Sequence, residues 1–153
     1  GARVLAEPGR SGGRWHLMAD PDDGEFCAFV RDDHPSRPPA TLFEVIVDTA
    51  SSASSERLAT WWAEVLDGVA VDDGRGFWWV EAIPHAPFDT LDFVPVPEPK
   101  TAKNRVHWDL VCDDVDALVA RGATVLAPPA GERVWHVMSD PQGDEFCVFP
   151  SSR

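Results

Sequence analysis

Two stretches of this chain say the same thing. Trp15–Phe29 reads WHLMADPDDGEFCAF, and Trp135–Phe149 reads WHVMSDPQGDEFCVF. An internal repeat constrains a fold more than any other feature of one sequence, because it demands the same local structure twice. Each copy places two short apolar runs around an Asp-Pro turn, which is the pattern of paired strands. The parallel continues upstream, where GARVLAEP at Gly1–Pro8 matches GATVLAPP at Gly122–Pro129 and adds a further strand. A weaker third copy lies between them. Phe77–Pro84 (FWWVEAIP) lines up with Val134–Pro141, and Leu91–Pro97 (LDFVPVP) with Asp144–Pro150. In this alignment Trp15, Trp78 and Trp135 are equivalent, Trp79 falls where the others have His16 and His136, and Glu25, Asp92 and Glu145 share a place.

The second and third copies are preceded by a strand and a helix. Leu42–Asp48 (LFEVIVD) and Val106–Cys112 (VHWDLVC) alternate like half-buried strands. After the first, Ser51–Ser55 offers N-caps, Leu58, Trp61, Trp62, Val65 and Leu66 recur at helical spacing, and Gly68 is placed to end the helix. After the second, Asp113 or Asp114 caps a shorter helix striped by Val115, Leu118 and Val119 and ended by Gly122. The unit is strand, helix, three strands. The expected fold is α+β, with tandem βαβββ modules at 41–97 and 104–150 forming one domain at 41–150. Residues 31–40, with their HPSRPPA, read as a linker, and residues 1–30 as the C-terminal remnant of a preceding module. Such a remnant leaves apolar positions at Val4, Leu17, Phe26 and Phe29 without their usual cover. The expectation is a piece of a longer two-domain protein, docking the remnant on its own domain or on a second copy as a homodimer. Residues 41–150 are expected to fold alone.

Composition narrows the partners. The chain has 153 residues, with 13 Lys+Arg against 26 Asp+Glu, a formal net charge of −13. That field repels phosphates, and no basic stripe offsets it, which argues against nucleic acid. No apolar run approaches the roughly 18 residues of a membrane span. Cys27, Cys112 and Cys147 form no C-x-x-C pair. Cys27 and Cys147, at the same place in the two repeats, read as small buried hydrophobes, and the chain as reduced and cytoplasmic. Seven Trp and no Tyr suggest aromatic walls for a flat or apolar small molecule.

The tandem βαβββ pattern, with KNRVHWDL at Lys103–Leu110, DPQGDEFC at Asp140–Cys147 and LATWWAEVLDG at Leu58–Gly68, resembles the vicinal oxygen chelate superfamily, most closely its glyoxalase-like domains. The resemblance spans about 42–150 as a paired module and 1–30 as the tail of another. It implies two sheets around a curved cleft, with metal ligands on the first and last strands of each module. Carried to this sequence, those positions are His107, Glu145 and Asp92, with Leu42, which cannot bind a metal, at the fourth. The implied cofactor is a divalent ion such as Zn, Ni, Fe or Mn. The superfamily holds lactoylglutathione lyase, extradiol dioxygenases, fosfomycin-inactivating enzymes, an epimerase and non-catalytic bleomycin-binding proteins, so fold does not choose the activity. One expectation is a metal-assisted lyase, isomerase or dioxygenase, with Glu44 and Asp109, at matching places on the two first strands, as general bases. The other is a protein that sequesters a drug or metabolite without metal. In either, Trp79, Trp108 and His136 are expected to contact the small molecule.

Overall fold

A computed structural model describes residues 1–10, 13–30 and 41–151, so the expected linker at 31–40 lies outside the described residues. The chain divides into two compact units, Gly1–Thr41 and Leu42–Arg153.

The first unit is a three-stranded antiparallel sheet of β1 (Arg3–Ala6), β2 (His16–Ala19) and β3 (Glu25–Ala28), in that order. Its β2–β3 turn is built by Asp20, whose Oδ1 accepts from the backbone N–H groups of Asp22 (2.9 Å) and Gly24 (2.7 Å). Such a side chain organises the backbone where no ladder can.

The second unit contains β4 (Glu44–Thr49), α1 (Ser52–Leu66), β5 (Val69–Asp72), β6 (Trp78–Glu81) and β7 (Thr90–Pro95). These are followed by β8 (Asp109–Val111), α2 (Val115–Ala120), β9 (Thr124–Ala127), β10 (His136–Ser139) and β11 (Glu145–Phe149). Two sheets result, β4-β7-β6-β5 and β8-β11-β10-β9. In each, the first strand runs parallel to the last and the rest are antiparallel. This is βαβββ twice.

Helix α1 starts where Ser51 accepts from the Ser54 N–H. It ends one residue earlier than its sequence suggests, because Asp67 takes the left-handed conformation (φ 55°) and not Gly68. Gly68 has a different reason to be small: a Cβ there would sit 2.7 Å from Val80 Cγ1 and 3.0 Å from the Glu81 carbonyl oxygen. Helix α2 is capped by Asp114, which accepts from the Ala117 N–H at 2.9 Å.

The core centres on α1. Trp62 is fully buried and meets Trp61, Trp108 and Phe146 edge-on, with centroids 4.7, 5.3 and 5.3 Å away. Both α1 indoles reach the second module with their N–H groups. Trp62 Nε1 donates to Asp140 Oδ2 (3.2 Å), and Trp61 Nε1 donates to the Arg121 carbonyl (2.9 Å). One helix thus serves two sheets. Val45, Val47, Trp78, Val80, Leu91, Phe93, Met138, Phe146 and Val148 pack into this core. Alternation then sends their strand neighbours to an open face. On the first sheet these are Glu44, Ile46, Trp79, Glu81 and Asp92; on the second they are Asp109, Val137, Glu145, Cys147 and Phe149. Among the described residues, no helix is long and apolar enough to cross a membrane.

Candidate functional site

The parallel pairing of β8 with β11 sets Asp109 directly beside Cys147 on the open face of the second sheet. The ladder extends one residue ahead of β8, since the Cys147 N–H donates to the Trp108 carbonyl at 3.0 Å. His107 therefore emerges on the same side as Asp109, and its Nε2 lies 3.5 Å from Asp109 Oδ1. The ligand atoms of His107, Asp109 and Cys147 all fall within 4.8 Å of one another. Cys147 is buried, whereas His107 and Asp109 are exposed, so sulfur forms the floor of the cluster. Burial pushes the Cys147 thiol up, and the Asp109 carboxylate adds to this, while Lys103 and the Trp135 indole N–H act the other way. Beside the cluster, Trp135 stacks on Phe149 with centroids 5.1 Å apart and planes at 24°. The face thus offers a nitrogen, an oxygen and a sulfur donor next to an aromatic pair.

The open face of the first sheet carries a different group. Asp92 sits between Ile46 of β4 and Trp79 of β6 and is only 4% exposed. Burial raises its carboxyl above the ordinary range, opposed by side-chain hydrogen bonds with Thr90 and Glu44. Trp79 Nε1 donates to Glu81 Oε2 at 2.9 Å.

A family model described as the glyoxalase-like domain matches residues 44–149. The chain belongs to that family. No curated protein matches the sequence. Several solved structures share the fold of this glyoxalase-like domain. A glyoxalase/bleomycin resistance protein/dioxygenase family enzyme from Burkholderia phytofirmans PsJN is 16% identical, covers 72% of this chain and 98% of its own, and gives a TM-score of 0.52. A glyoxalase/bleomycin resistance protein from Albidiferax ferrireducens T118 is 16% identical over 72% and 98%, with a TM-score of 0.51. Oxidase ChaP-H2 is 21% identical over 74% and 95%, with a TM-score of 0.51. At such identities the likeness is one of fold.

Within this glyoxalase-like domain the residues singled out from the sequence scatter. His107 joins the cluster just described, but Glu145 and Asp92 do not. The Glu145 carboxylate accepts from Lys100 Nζ (3.0 Å) and the Asn104 N–H (3.3 Å), and Lys100 holds it below the usual carboxylate range despite some burial. Asp92 belongs to the other sheet, beside Glu44. Leu42 precedes β4 and is exposed. Trp108 turns away from the open face and packs on Trp62 in the core. His136 pairs with Val148 and alternates with Val137, which puts it on the helix-covered side with Met138. Equating it with Trp79 matched letters but crossed faces; Trp135 is the aromatic that reaches the open side of β10, against Phe149.

Cys147 and Trp135 are the residues that sequence reasoning passed over. The signal for Cys147 was its spacing of two from Glu145 along one strand. What was missing was the parallel register that pairs it with Asp109. A divalent ion suits the resulting donors: one imidazole, one carboxylate and one sulfur in a group that opens to solvent on its His107–Asp109 side.

Proposed function

We propose that this glyoxalase-like domain binds a small, partly aromatic organic molecule on the open face of its second sheet. The observation that carries this reading is the Trp135–Phe149 stack beside His107, Asp109 and Cys147. An aromatic platform takes the apolar body of a ligand, and a few convergent polar groups fix its orientation. Sequestration needs nothing more. The second reading is metal-assisted lyase, isomerase or dioxygenase chemistry, and the compact nitrogen, oxygen and sulfur donor set favours it. In that case His107, Asp109 and Cys147 would hold a divalent ion, which supplies Lewis-acid polarisation of a ligand oxygen. Asp109 would then serve as a ligand, leaving the general-base role to Glu44, whose partner Asp92 is biased by burial toward holding a proton. A free-thiol site of this kind fits a reducing, cytoplasmic setting.

The test is tryptophan fluorescence of the whole chain during titration with a catechol and a naphthoquinone, in the presence of chelator. Quenching is expected in the wild type and in Trp61→Phe, and its loss in Trp135→Phe. Quenching that disappears in Trp79→Phe and persists in Trp135→Phe would move the ligand to the first sheet and overturn the proposal.

A further inference from the structure

Deepening that reading of the same face, we infer that Cys147 is itself a metal ligand, and that with His107 and Asp109 it makes a site for thiophilic divalent ions, such as zinc, cobalt or cadmium, in preference to magnesium or calcium. Geometry is the first support. The three ligand atoms already lie within 4.8 Å of one another, a separation that one ion can bridge with small side-chain adjustments. Two of the three positions are fixed by backbone pairing, Asp109 against Cys147, with the Trp108 carbonyl accepting from the Cys147 N–H just beyond. The site is thus held by a sheet and not by a loop.

The donor chemistry is the second support. Magnesium and calcium take about six or more oxygen ligands, whereas a soft sulfur donor favours zinc-like ions. This cluster supplies a single carboxylate. The nearest further carboxylate along β11, Glu145, is engaged by Lys100 and the Asn104 N–H, and recruiting it would break both contacts. Asp144 is engaged as well, accepting from Asn104 Nδ2 at 2.9 Å and lying 3.3 Å from Lys100 Nζ. Hard oxygen donors near the cluster are therefore committed to Lys100 and Asn104, while the thiol is directed at His107 and Asp109.

The exposure of the three groups is the third support: Cys147 is buried, whereas His107 and Asp109 are exposed. On coordination the thiol proton leaves to solvent and a sulfur–metal bond forms, with no change of oxidation state. With Cys147 as floor and His107 and Asp109 at the rim, an ion held there would be reached from the side where the proposed organic ligand would lie. Among the described residues, neither Cys27 nor Cys112 belongs to such a group.

The experiment is titration of the whole chain with cadmium or cobalt, under reducing conditions and without organic ligand, read by the thiolate-to-metal charge-transfer band. The band is expected in the wild type, in Cys27→Ser and in Cys112→Ser. It is expected to vanish in Cys147→Ser with the far-UV circular dichroism unchanged. Asp109→Asn, an exposed change that leaves the core intact, is expected to weaken cadmium by about tenfold or more, as losing even an outer partner does. Excess magnesium should not reverse the band. A wild type without the band, a band that survives Cys147→Ser, or full affinity in Asp109→Asn would each overturn the inference. Because the band is read without organic ligand and the fluorescence quenching is read with chelator, failure of one is distinguishable from failure of the other.

Discussion

The strands β1–β3 and β9–β11 are the same local structure in two settings. Leu17↔Cys27, Met18↔Phe26 and Ala19↔Glu25 in the first recur as Val137↔Cys147, Met138↔Phe146 and Ser139↔Glu145 in the second. Asp20 and Asp140 each fold their turn by accepting from two backbone N–H groups. Trp15 meets Phe29 as Trp135 meets Phe149, with centroids 5.7 and 5.1 Å apart. Yet Phe26 is 41% exposed and Phe146 is 0% exposed. Phe146 lies under Trp61 and Trp62 of α1, and its strand pairs with β8. Strand β3 is instead the edge of its own sheet. The repeated words encode a hairpin and its turn. Burial and chemistry come from the elements that pack against them.

The largest expected contrast follows from that cover. Phe146→Ala should cost about 3–5 kcal/mol in the unfolding of the second unit, because it removes a fully buried ring from between two indoles. Phe26→Ala should cost within about 0.5 kcal/mol, as an exposed substitution does. Denaturant midpoints of the two variants check this, and equal losses would show that the cover from α1 does not separate the two copies.

A middle-sized effect belongs to the turn aspartates. Asp140 accepts from Trp62 Nε1 in addition to its own turn, so Asp140→Ala leaves a buried indole N–H unpaired and should cost about 1–3 kcal/mol. Asp20→Ala removes two turn bonds, one exposed and one part-buried, but leaves no indole N–H unpaired, so it should cost less, about 0.5–1.5 kcal/mol. The acid response of the same residue is smaller still. Burial raises the Asp140 carboxyl above its ordinary 3.8, with hydrogen bonds from Asp144, Gln142 and Trp62 opposing. A carboxyl raised in the folded state binds its proton more tightly there than in the unfolded chain. Its contribution is therefore fully present below 3.8 and is lost as pH rises through the raised folded value. Asp92 acts in the same direction. Urea midpoints measured down through that window should fall more steeply with acid in Asp140→Asn than in the wild type.

Much of the fold was legible because it is periodic or repeated. The alternation in Leu42–Asp48, the Trp61–Trp62 stripe and the Asp-Pro turns each announce their element locally. The site was legible only in part. His107 stands out because a lone imidazole in an alternating strand is conspicuous. Cys147 reads as a small core residue until a parallel neighbour is known, since register between β8 and β11 is a long-range property. The same blindness misplaced His136 and Trp108. Their faces depend on which neighbour is core, and a shift of one residue exchanges the faces. Gly68 shows the smaller version: its role is close packing against Val80, which no local pattern displays.

Pairing with β8 sets Cys147 beside Asp109 and His107, whereas its twin Cys27 lies on the edge strand of its own sheet. Cadmium NMR of the whole chain, with wild type, Cys27→Ser and Cys147→Ser compared under reducing conditions, reads out whether that difference makes a metal site. One bound-cadmium resonance, moved from the oxygen-only region toward the thiolate region, is expected in the wild type and in Cys27→Ser, and none in Cys147→Ser. A resonance in the oxygen-only region, or one that depends on Cys27 and survives Cys147→Ser, would overturn the assignment of Cys147.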